Sequence, residues 1–91
     1  MAIGVIFESQ DLTREQYDRV RDEVAPGNAP PPGLLYHAAG ASEHGWRVIE
    51  VWESQEAAQR FFDEKVGPAL QQVGVSGGQD TFFEVHNIMK P

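Results

Sequence analysis

Residues 45–70 read GWRVIEVWESQEAAQRFFDEKVGPAL. In the first part, Trp46, Val48, Glu50 and Trp52 alternate with Arg47, Ile49, Val51 and Glu53, the period of two that predicts a β-strand over Trp46–Glu53. Ser54 follows as a helix cap, with Glu56 in the first turn, where negative charge suits the helix dipole. Ala57, Ala58, Phe61, Phe62 and Val66 then fall on one helical stripe. Gly67-Pro68 predicts a kink or break, because proline lacks the donor and crowds the preceding turn, with a shorter helical piece over Pro68–Val73. A strand running directly into an amphipathic helix is half of an α+β unit.

The rest of the chain repeats that half. Ala2–Glu8 is apolar, β-branched and too short for a helix, so it reads as a buried strand. Thr13 and Gln16 form a capping box for a helix with Tyr17, Val20 and Val24 on its apolar stripe. Arg14, Asp18, Arg21 and Asp22 of that helix face water, and it stops before Pro26-Gly27. Residues 25–33, APGNAPPPG, must be a stiff irregular connection. Leu34–Gly40 reads as a second strand, joined to the third through the polar turn ASEHG, residues 41–45. After the loop GVSGGQ, residues 74–79, a last strand is expected over Asp80–Met89. The order β-α-β-β-α-β implies the ferredoxin-like arrangement: an α+β fold, with a four-stranded antiparallel sheet and two helices on one face, one domain over residues 1–91.

Composition narrows the function classes. Seven Lys and Arg against fourteen Asp and Glu give a net charge of −7, which argues against nucleic acid or an anionic membrane surface as partner. The absence of cysteine excludes disulfides, thiolate catalysis and Cys-ligated metals. No apolar run is long enough for a membrane span, and AIGVIF at the start has neither the basic flank nor the cleavage site of a signal peptide. A soluble, cytoplasmic protein is expected.

Both faces of the sheet carry large apolar side chains. On the second strand Leu35, His37 and Ala39 oppose Leu34, Tyr36 and Ala38, and on the fourth Phe83 and Val85 oppose Phe82, Glu84, His86 and Ile88. Two helices cover one face. An uncovered aromatic face needs a partner, and the simplest partner is a second copy, so a homodimer packed through the helix-free faces is expected.

The string over residues 45–70 resembles the corresponding segment of the dimeric α/β-barrel superfamily, especially antibiotic biosynthesis monooxygenase-like domains. The likeness rests on Val51-Trp52-Glu53-Ser54 followed by Ala57 and Phe61. It implies a dimeric α/β barrel and a pocket between sheet and helices, but not one activity. The superfamily holds cofactor-free monooxygenases, haem-degrading enzymes, polyketide cyclases and lactone isomerases. Trp52 matches the strand-end Trp of the haem-degrading members, yet the first strand has no Asn and the second helix no His. These departures tell against haem degradation, so no cofactor is expected, and a cyclase or isomerase of this kind would take its acid–base group from the sheet.

Among the polar residues, His37 and Glu50 are the candidate catalytic pair. If the turn pairs Gly40 with Gly45, His37 lies opposite Val48 and Glu50 is its diagonal neighbour on the face of Trp46 and Trp52. A carboxylate among tryptophans is costly to bury unpaired, and an imidazole beside it relieves that cost and makes a general acid–base group. Trp46, Trp52, Phe61 and Phe62 are candidate pocket walls for a small hydrophobic or aromatic molecule. His86, read as mid-strand beside Glu84, is a further candidate for that wall or for a cross-strand hydrogen bond. His44 belongs to the turn, and Tyr17 to the core stripe. No two of the three histidines have metal-pair spacing, no Gly-rich phosphate loop precedes a helix, and no serine sits in a nucleophile elbow. Three functions fit: a cofactor-independent monooxygenase, cyclase or isomerase on an aromatic or polyketide-like substrate; a non-catalytic ligand-binding domain; or a structural dimeric domain.

Overall fold

The computed structural model describes residues 1–91. Strands β1 (Ile3–Ser9), β2 (Leu34–Ser42), β3 (Gly45–Trp52) and β4 (Gln79–Glu84) form one antiparallel sheet in the order β2-β3-β1-β4. Helix α1 (Arg14–Val24) links β1 to β2. Helices α2 (Gln55–Phe61) and α3 (Gly67–Gln72), joined by a π-helical turn over Phe62–Val66, link β3 to β4. This is the ferredoxin-like α+β fold, and no helix is long and apolar enough to cross a membrane.

Local chemistry accounts for the element starts. Thr13 Oγ1 accepts the Gln16 N–H, and the Gln16 side chain returns a bond to the Thr13 N–H, closing the capping box of α1. Ser54 Oγ accepts the Ala57 N–H at the start of α2. As expected, the α-helix is interrupted ahead of Gly67-Pro68, and a shorter helical piece follows from Gly67. The chain stays in right-handed helical geometry from α2 to α3, and the wide turn before Pro68 absorbs the missing donor, the Gly67 N–H reaching the Phe62 carbonyl.

Three strand details also differ from the sequence reading. The β2–β3 turn is tighter: Ser42 pairs with Gly45, so His37 lies directly opposite Glu50 rather than diagonal to it. A shift of two residues keeps every side chain on its face. A bulge between Leu34 and Tyr36 breaks the alternation and turns Leu34 to the helix side, where it packs against Trp52 and Ala58. Strand β4 ends at Glu84, because its partner β1 begins at Ile3 and the last bond across the pair runs from the Val85 N–H to the Ala2 carbonyl. His86 therefore lies beyond the sheet.

On the helix-covered face the core divides in two. One cluster holds Leu12, Val20, Trp46, Val48, Ala69, Leu70 and Val75; the other holds Ile3, Val5, Trp52 and Ala58. On the opposite face Phe83 lies across Gly4, where a Cβ would fall 2.1 Å from its ring, so only glycine admits that packing. Tyr36, Ile49 and Phe83 of this face are 58, 41 and 46% exposed, an apolar surface left open on the single chain.

Candidate active site

Between the two core clusters lies a cavity of about 380 Å³. Close-packed interiors hold few voids larger than one water, and this volume falls within the range of small-molecule sites. Val20, Val48 and Leu70 bound it from one cluster, Val5, Trp52 and Ala58 from the other, and Asn28–Pro31 of the Pro-rich connection contribute to its rim. The wall is mostly apolar. Tyr17, His37, Glu50 and Asp80 bring polar atoms to it from α1, β2, β3 and β4.

Three of these four are linked. Glu50 and His37 are opposed across the β2–β3 ladder, and His37 Nδ1 lies 2.7 Å from Glu50 Oε2. The other oxygen, Glu50 Oε1, accepts the Trp52 Nε1–H at 3.0 Å. Tyr17 Oη stands 2.5 Å from His37 Nε2. Its ring stacks on the imidazole and leans against Trp46, with centroids 6.0 and 5.3 Å apart. The result is a continuous chain of hydrogen bonds, Tyr17–His37–Glu50–Trp52, along one side of an apolar cavity.

Burial pushes the Tyr17 phenol above its ordinary value of 10.0; Arg21 opposes this while Glu50 and Asp18 reinforce it. Burial likewise raises the Asp80 carboxyl above 3.8, and the nearby Glu50 charge adds to the rise. An acid whose folded-state value is raised contributes stability below its unfolded value, and that stability is lost as pH rises through the folded value. Asp80→Asn is therefore expected to melt at a higher temperature than the wild type at pH 7. The gap should close below the ordinary carboxylate range, where Asp80 is protonated folded and unfolded alike. A thermal melt series from pH 3 to pH 7 checks this, and a lower midpoint for the variant at pH 7 refutes it.

The sequence candidates distribute unevenly. His37, Glu50, Trp52, Phe61 and Phe62 all reach the cavity. Trp46 is buried in the core behind Tyr17 and does not line it, and its Nε1 has no protein partner. His86 is exposed past the end of β4, apart from the cavity, since the edge strand has no neighbour left to pair with there. Tyr17 and Asp80 were not foreseen as site residues. Asp80 shares its face with Phe82, two positions along β4, so alternation alone would have placed it. Tyr17 followed the core stripe of α1, and nothing in that periodicity signals a hydroxyl aimed at His37. No three His, Cys, Asp or Glu side chains converge as a metal-binding set.

The backbone has close counterparts among solved structures. A dimeric ferredoxin-like protein of unknown function from Thermobifida fusca YX superposes with a TM-score of 0.63 at 18% identity, covering 93% of this chain and 92% of that one. SnoaB, a cofactor-independent oxygenase from Streptomyces nogalater, gives 0.63 at 16% identity over 99% of this chain and 96% of its own. The chain shares its ferredoxin-like fold with these proteins. The ActVA-Orf6 monooxygenase of Streptomyces coelicolor, solved with nanaomycin D, extends this set at a TM-score of 0.53 and 22% identity, covering 99% of this chain and 91% of that one. No protein-family model and no curated protein matches the chain.

Proposed function

We propose that residues 1–91 form one domain acting as a small-molecule enzyme of the dimeric α/β-barrel kind, cofactor-independent, on an aromatic or polyketide-like substrate. The observation that carries this reading is the hydrogen-bonded His37–Glu50 pair on the wall of an apolar cavity of about 380 Å³. An imidazole oriented by a carboxylate is a general acid–base group, and the apolar walls, including Trp52, Phe61 and Phe62, suit a flat hydrophobic ligand. Such a site abstracts a proton from an activated phenol or ketone, and the resulting anion either isomerises or reacts onward. SnoaB is a cofactor-independent oxygenase and ActVA-Orf6 a monooxygenase solved with a ligand, which supports the class.

The working form in this reading is a cytoplasmic homodimer packed through Tyr36, Ile49 and Phe83; the exposure of these side chains supports the face, and the dimeric Thermobifida protein supports a dimer. Sedimentation at micromolar concentration is expected to give a dimer; a clean monomer refutes it.

The activity test is turnover of a panel of phenolic polycyclic ketones, with oxygen uptake separating monooxygenation from cyclisation or isomerisation. His37→Ala is expected to lower turnover by about a hundredfold, the scale of losing a general acid–base group. Unchanged turnover removes His37 from the mechanism. Tight binding with neither product nor oxygen uptake selects the second reading, a ligand-binding domain without catalysis.

A further inference from the structure

Both ring nitrogens of His37 are occupied within the protein. Glu50 Oε2 lies 2.7 Å from Nδ1, and Tyr17 Oη lies 2.5 Å from Nε2. An ionised carboxylate can only accept, so the neutral imidazole carries its proton on Nδ1 and donates it to Glu50. Nε2 is then an acceptor, and the Tyr17 hydroxyl must be the donor. Trp52 Nε1–H, which can only donate, occupies the remaining Glu50 oxygen at 3.0 Å. With the imidazole neutral and Glu50 ionised, each bond in the chain then runs in one direction, and the imidazole has no nitrogen free for a ligand. At the Tyr17 end of this chain the phenolic oxygen keeps a lone pair for a ligand, on a ring that packs with His37 and Trp46 at the cavity wall.

We infer that Tyr17 is the residue that takes the proton from the ligand, that His37 receives Tyr17's own proton in the same motion, and that the ligand is a phenol or enol. This rests on the reading of the cavity as a site for a small aromatic substrate. In the step, the ligand O–H bond breaks and its proton joins Tyr17 Oη. The original Tyr17 O–H bond breaks and an Nε2–H bond forms on His37. The electron pair stays on the ligand as a phenolate or enolate, and the positive charge rests on an imidazolium facing the Glu50 carboxylate. Returning the proton to the carbon of the enolate gives the keto tautomer, so the cycle needs no oxidant and no second reactant. The relay also explains how a phenol can work in this setting. Burial, Glu50 and Asp18 hold Tyr17 in its protonated form against the pull of Arg21, so a free phenolate is not the resting base. A concerted hand-over never requires one. Glu50 and Trp52 act through His37 and are positioning residues.

The probe is 1,3-dihydroxynaphthalene, whose ring hydrogens exchange through its keto tautomer. Its binding is read by tryptophan fluorescence, and its exchange in deuterated buffer under nitrogen by proton NMR. The wild type is expected to bind the probe and accelerate exchange. Tyr17→Phe should slow the accelerated rate by about a hundredfold while binding within about threefold and melting close to the wild type, since only a hydroxyl is lost. Glu50→Gln should slow it by about tenfold, its amide orienting the imidazole without the charge. The nitrogen NMR spectrum of His37 supplies a measurement independent of any variant, and the expected form is the Nδ1–H tautomer. Exchange at the wild-type rate in Tyr17→Phe overturns the inference, and so does a His37 found with its proton on Nε2. Probe binding without accelerated exchange by the wild type overturns the relay alone. No binding at all overturns the cavity reading and the relay with it.

Discussion

Trp52→Ala is expected to lower the free energy of unfolding by about 3–5 kcal/mol, the range for removing a large aromatic from a packed core. Trp52 is 1% exposed and packs with Ile3, Val5 and Ala58, its ring 5.5 Å from that of Phe61. A domain of this size has only about 5–15 kcal/mol in hand, so the loss is a large share of the whole. The indole N–H adds a polar component, because its removal leaves Glu50 Oε1 without a donor. Trp52→Phe separates the two contributions: it keeps most of the packing, and its cost should stay near 1–2 kcal/mol, about that of one lost hydrogen bond to a charged group. Urea titration followed by circular dichroism measures both variants. A cost under about 1 kcal/mol for Trp52→Ala would mean that the ring is a pocket wall and not part of the core.

Gly45→Ala is the other substitution expected to be severe, at about 3 kcal/mol, and for a different reason. Gly45 closes the β2–β3 turn at a φ of +121°, outside the range open to other residues. A Cβ there would lie 2.2 Å from the Ser9 carbonyl oxygen and 2.7 Å from Gln10 Cα, and backbone atoms at a strand end have little freedom to move aside. Gly40→Ala is the control, with nothing within 4 Å of its added Cβ, and it should change stability by about 0.5 kcal/mol or less. Equal effects of the two substitutions in urea titrations would refute the steric account. Because this turn sets the β2–β3 register, Gly45→Ala should also weaken the His37–Glu50 pairing, visible as a change in the His37 ring resonances.

These residues also show where sequence reasoning holds. The period of two through Trp46–Trp52, the stripe Ala57–Phe61 and the capping residues Thr13 and Ser54 are local signals, each written within a few positions of the chain. Together they determined the element order, the fold class and the shared face of His37 and Glu50. The face assignment survived an error of two residues in register, since side chains alternate with that same period. Other features depend on contacts distant in sequence, and only the tertiary structure decided them. The end of β4, and with it the position of His86, follows from where β1 starts some eighty residues earlier. Helical continuity past Pro68 relies on a wide turn whose bonds shift by one residue, which composition does not encode. The division of the core into two clusters, and the Tyr17 hydroxyl reaching His37 across it, arises from how α1 and the α2–α3 run settle on the sheet. Periodicity reports which face a side chain takes; it carries no information about the space left between faces, and that space is where this protein keeps its site.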